Sequence, residues 1–109
     1  MKIVNLTPHD IHIVGNAGNV IRTYPASGEV ARVAMKTEHV GQLPDGTPLT
    51  RSVADMDNVT GLPEPQDDTM YIVSLFTKSA LPSRTDLLVP NEAVRDEAGR
   101  IVGVQSLGV

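Results

Sequence analysis

Three polar runs hold the residue types that could do chemistry. The first, "NLTPHDIHIV", spans residues 5–14 and holds Asn5, Thr7, His9, Asp10 and His12. A histidine neutral near pH 7 can act as general base or donate to a ligand oxygen. The second, "SRTDLLVP", places Ser83, Arg84, Thr85 and Asp86 ahead of an apolar run, where Arg84 can fork onto an anion while Asp86 orients it. The third, "YPASGEVARV", offers Tyr24, Ser27, Gly28 and Arg32, and its Ser-Gly step can turn backbone N–H groups toward an anion.

Each run also has a local reading. Asn5 and Thr7 suit a Pro-fixed turn whose amides their side chains satisfy. Arg84 and Asp86 suit a surface ion pair of small value. Arg95 and Arg100 flank a Gly99 turn in "VRDEAGRIVG". No metal site is expected. His9 and His12 share a face on a helix but not on a strand, and Pro8 with the alternating "IHIV" favours the strand. With three His and no Cys, zinc would need carboxylates from elsewhere. Ser27 lacks the G-x-S-x-G elbow, and neither the Walker nor the dinucleotide glycine pattern occurs. No cofactor is expected.

These residues must be positioned by a small scaffold. The 109 residues fit a single domain, 1–109, and 40% are hydrophobic, with one Phe, two Tyr and no Trp. Its core is therefore built from Val, Ile, Leu and Met. The absence of Cys removes disulfides and thiol nucleophiles and agrees with a cytoplasmic setting. The N-terminus lacks the apolar region of a signal peptide, and no run is long enough to span a membrane. A net charge of −4 argues against binding a nucleic-acid polymer. Six of the nine basic residues are nevertheless Arg, the side chain suited to carboxylate and phosphate.

Periodicity predicts a strand-dominated α+β domain. Residues 2–6, "IHIVG" and "VIRTYP" form an N-terminal β-meander, with "NAGN" as a hairpin turn. A strand follows in "EVARVAMK", then a turn at Pro44-Asp45-Gly46. Residues 55–69 show little periodicity and read as a loop or a lid. "MYIVS", "SLFTKSAL" and "DLLVP" make one short β-α-β unit, its helix ending before Pro82. The tail forms a C-terminal hairpin.

The strings "NLTPHDI", "YPASGEVARV", "GLPEP" before "YIVS", "RTDLLVPNEAVRDEAGRIVG" and the closing "SLG" together resemble a family of short uncharacterised proteins of tailed phages, prophages and bacteria. The resemblance covers most of the chain and is weakest between about residues 36 and 60. It implies a genomic setting and assigns no catalytic residue. By analogy with small phage proteins, it suggests an accessory factor, such as an inhibitor of host defence or a binder of defence nucleotides, acting in the host cytoplasm.

Three functions follow as expectations. In the first, Arg32, Arg84 and Arg95, with Asn5, Thr7, His9, Ser27, Thr85 and Asp86, gather around a small anionic, nucleotide-like ligand and sequester it. In the second, the chain is a small hydrolase or transferase with His9 as base, oriented by Asp86 or Asp10. In the third, it binds a protein partner, as an inhibitor or minor virion component. All three fit a homo-oligomer, because a strand-rich domain must pair or cover its edges.

Overall fold

A computed structural model describes residues Met1–Val109. Eight strands and one helix follow in the order β1 (Lys2–Asn5), β2 (Ile11–Val14), β3 (Val20–Tyr24), β4 (Arg32–Gln42), β5 (Pro48–Thr60), β6 (Thr69–Ile72), α1 (Leu75–Ala80), β7 (Leu87–Arg95) and β8 (Ile101–Gly108). Strands dominate, as the alternating patterns predict. No helix is long and apolar enough to cross a membrane.

Six strands form one mixed sheet in the order β1-β6-β7-β8-β2-β3, and β4 and β5 form a separate antiparallel pair. The β-α-β unit is present: β6 and β7 run parallel, with Tyr71 opposite Leu87 and Ile72 opposite Leu88. The helix between them starts where Ser74 Oγ accepts from Thr77 N at 3.2 Å and ends before Pro82. Both boundaries follow from local chemistry, a hydroxyl N-cap and a proline ahead. The C-terminal hairpin is also present, as β7 and β8 pair around a turn in which Asp96 Oδ1 accepts from Ala98 N and Arg100 N.

The N-terminal third is not a meander. β2 and β3 make a hairpin, but β1 pairs in parallel with β6, Lys2 opposite Thr69 through Asn5 opposite Ile72. A period of two marks a segment as a strand without naming its neighbour. β1 adds to the strand that is buried on both faces, and Val4 packs against the core there. β2 instead lies parallel to β8, where Gly103 allows close approach, since a Cβ there would sit 2.7 Å from His12 O.

The sheet curls until its first and last strands meet. Asn5 bridges to Ala26, just after β3, and Ser27 N donates to Asn5 O at 3.1 Å. Inside this curl lie Leu6, Ala31, Tyr71, Val73, Leu87 and Val89. Only 13 of 109 residues are buried, so the core is small for the chain.

β4 and β5 project from the curled sheet as an arm. Their turn is the expected one, Gly46 taking φ +93 and Thr47 N donating to Asp45 Oδ1 at 2.9 Å. β4 runs on past the predicted strand, and β5 forms where a loose segment was expected, so residues 55–60 belong to β5 and only 61–68 remain as a connection. That connection is tied down rather than free: Leu62 packs against the core and Pro63 O accepts from Arg84. The arm gives the molecule extents of 55 × 40 × 22 Å and a radius of gyration of 17.4 Å. A compact chain of this size has about 13 Å.

Candidate functional site

Asn5 is the hub of the opening run. It is 2% exposed, and its Nδ2 donates to His9 O at 2.8 Å and to Tyr24 O at 2.9 Å. Its Oδ1 accepts from Thr7 N at 2.9 Å and Thr7 Oγ1 at 2.7 Å. Both donors and both lone pairs of the amide are thus engaged within the protein. Asp10 works beside it, its Oδ1 accepting from Ala26 N at 2.8 Å. Together Asn5 and Asp10 close the curl of the sheet, which is why a strand end here carries so many polar residues.

Arg84 is engaged in the same internal way. Its Nε donates to Asp86 Oδ1 at 2.9 Å and its outer nitrogen to Asp86 Oδ2 at 2.8 Å, with Pro63 O also in reach of that nitrogen at 3.0 Å. The Arg84 hydrogen bonds hold the Asp86 carboxyl below the usual carboxylate range, and the Asp86 contact raises the guanidinium in turn. Thr85 between them is exposed. Arg95 donates to Gly99 O at 2.8 Å and braces the β7–β8 turn. Ser27 stays local as well, its Oγ lying 3.3 Å from both Glu29 N and Glu29 O.

Two of the expected ligand residues share one cleft. A cavity of about 540 Å³ opens where the base of the arm meets the corner after β1 and the start of α1, and Thr7 and Arg32 both line it. Asn58, Thr60, Ser74, Phe76 and Thr77 add hydroxyls, an amide and the chain's one Phe. Arg32 is the only charged residue in the lining. It is exposed and takes part in none of the three ion pairs of the molecule.

His9 belongs to a different cleft, of about 660 Å³, formed by β2, β7 and β8. Asp10, His12, Asn91 and Glu92 line it too. His12 Nδ1 and Thr23 Oγ1 share a hydrogen bond of 2.9 Å, and Ser106 Oγ donates to Glu92 Oε1 at 2.8 Å. Glu92 takes φ +59, a conformation that costs a non-glycine residue about 1–3 kcal/mol. Asp86 does not line this cleft and is held by Arg84, so it does not serve as the partner of His9. No group of three or more His, Asp or Glu is arranged to hold a metal ion.

The nine expected binding residues therefore do not converge. Thr7 and Arg32 meet in one cleft, His9 lines a second, Ser27 lines a smaller third one, Thr85 is exposed, and Asn5, Arg84, Asp86 and Arg95 make internal bonds. Asn58, Thr60, Ser74, Phe76 and Thr77 were missed because they are ordinary residues on two elements far apart in sequence, β5 and α1 with its cap. No family model, curated protein or solved structure matches the chain.

Proposed function

We propose that the chain is a binding protein for a small anionic, nucleotide-like ligand, which it takes up in the cleft at the base of the arm and sequesters. One observation carries this reading. In a protein of net charge −4, the cleft contains an unpaired guanidinium and no carboxylate. An anion entering it meets Arg32 without like-charge repulsion from the walls. Asn58 and Thr60, whose side chains make no hydrogen bond within the protein, supply hydrogen-bonding groups, while the Thr7 and Ser74 hydroxyls are engaged by Asn5 and Thr77; the partly exposed Phe76 supplies an aromatic face for a base. The resemblance to phage and prophage proteins fits a cytoplasmic accessory role of this kind. The function needs no cofactor.

The test is thermal denaturation with a panel of nucleoside mono-, di- and triphosphates, followed by titration calorimetry. A ligand at a hundredfold excess over its Kd stabilises the native state by about 2.7 kcal/mol, a rise of about 10 °C for a domain of this size. Absence of any shift across the panel and with inorganic phosphate would remove this reading.

A second reading rests on the strained Glu92 beside His9 and His12, because backbone strain collects at functional sites. Here the chain is a small hydrolase or transferase with His9 as base and Asp10 as its neighbour. His9→Ala would then abolish turnover while leaving affinity in the Arg32 cleft unchanged.

A further inference from the structure

The β4–β5 arm is long and bare, its strands of 11 and 13 residues pairing only with each other. A two-stranded hairpin standing alone in water is marginally stable at best. This one runs through ten paired positions, from Arg32 opposite Thr60 to Gln42 opposite Pro48. Neither strand has a second neighbour, so both outer edges leave backbone donors and acceptors unpaired. Met35, Val40, Leu43, Leu49 and Met56 are all exposed along it, Met35 at 56% and Met56 at 57%.

We infer that the arm is a self-association element, and that a second copy of this chain packs its own arm against it about a twofold axis. The surface area sets the scale. The chain exposes 7359 Å², whereas a compact monomer of 11.6 kDa exposes about 5,800 Å². The excess of about 1,500 Å² per chain is what a stable homodimer removes from each partner. Charge permits the contact. Between Arg32 and Thr60 three basic residues stand against four acidic ones, so the arm carries one net negative charge of the molecule's four, and Glu38 sits directly opposite Arg51.

A second copy is the occupant because the need is permanent. With 13 of 109 residues buried, the fold is short of core whether or not any other protein is present. The partner available from synthesis onward is the chain itself. A face that meets its own copy must also be self-complementary, and an antiparallel hairpin with two open edges and scattered apolar side chains is so. The arm meets the body at a bulge, where the register jumps from Val33 opposite Val59 to Ala34 opposite Asp55 and leaves Met56, Asp57 and Asn58 unpaired. Asn58 lines the Arg32 cleft, so an arm set in place by a partner also sets that wall.

The test needs no ligand. Light scattering on the full chain after size exclusion, at about 10 µM, is expected to give twice the 11.6 kDa chain mass. A mass of one chain would overturn the inference and leave the arm to a protein of another kind. The double variant Met35→Lys, Leu49→Lys is expected to weaken association at least about 10-fold with an unchanged far-ultraviolet spectrum. A folded variant that stays as dimeric as the parent would overturn arm-to-arm packing. Should the variant fail to fold, amide exchange on the unaltered chain decides: residues 32–60 are expected to exchange at least about 10-fold faster on dilution into the monomer, while β6 and β7 stay slow. Exchange in the arm that does not respond to dilution would count against it. A dimer that binds no anion would remove the proposed function and leave this inference intact.

Discussion

The Arg84 guanidinium grips both oxygens of the Asp86 carboxylate, at 2.9 and 2.8 Å, and reaches Pro63 O at 3.0 Å. The fork pins the 61–68 connection to the strand that carries the core residues Leu87 and Val89. An arginine whose Nε and outer nitrogen are so engaged is a brace in the fold.

Acid should release that brace. Arg84 holds the Asp86 carboxyl below its usual range, so the pair's contribution to stability is fully present above about pH 4. It is lost as pH falls further, through the folded value, because the folded state binds that proton less readily than the unfolded chain. Asp86→Asn is expected to be less stable than the parent at neutral pH and to lose less stability on acidification. Urea titrations at pH 7 and pH 3 measure both; parallel losses would show that the pair is not linked to folding.

Two arginines should separate by substitution. Arg84→Ala leaves a half-buried carboxylate without its partner and is expected to cost about 1–3 kcal/mol of stability while keeping ligand affinity. Arg32→Gln touches an exposed, unpaired side chain, so stability should change by less than about 0.5 kcal/mol. Affinity for the anionic ligand should fall about 10–100-fold, the value of a hydrogen bond to a charged group. Calorimetry on both variants reads the contrast, and the opposite pattern would move the site to the Arg84 corner.

Asn5→Ala removes four hydrogen bonds at the point where the sheet closes on itself. Leaving the backbone groups of Thr7, His9 and Tyr24 without the amide should cost about 2–3 kcal/mol. Asn5→Asp should not rescue it, since a carboxylate accepts but does not donate to His9 O and Tyr24 O. The thermal midpoints of the two variants decide; a fully stable Asn5→Asp would show that the Nδ2 bonds carry no weight.

Gly61→Ala tests how the arm is fixed to the body. Gly61 has φ +75, and a Cβ there would run into the Val30 carbonyl. The backbone conformation alone should cost about 1–3 kcal/mol, with the clash in addition. A large drop in thermal midpoint is expected, and with it weaker binding in the Arg32 cleft, because Val30 and Thr60 are in its lining. A substitution tolerated without loss would mean that the arm's root is not held against Val30.

Features decided over a few residues were legible in the sequence. Pro82 after "SLFTKSAL" ended the helix, Pro44-Asp45-Gly46 made its turn, and "IHIV" made its strand, because proline stops, turns and alternation act over four or five residues. The arm was not legible. Its apolar residues are scattered and its alternation is broken by bulges, so it reads as a strand followed by a loose segment. The candidate site was legible only in part, at Thr7 and Arg32.

By itself the sequence determined that this is a small strand-rich domain with one short helix stopped by a proline, no thiol chemistry, and arginines set among hydroxyl-bearing turns. Only the tertiary structure decided which of those arginines are tied to an acid, Arg84 and Arg100, and which are not, Arg22, Arg32, Arg51 and Arg95. Arg84 finds Asp86 two residues away but Pro63 O twenty-one residues away, and Arg32 finds no acid at all. Pairing depends on which strands become neighbours, and that choice is made by burial across the whole sheet, where β1 joins β6 and β2 joins β8, rather than by any local pattern.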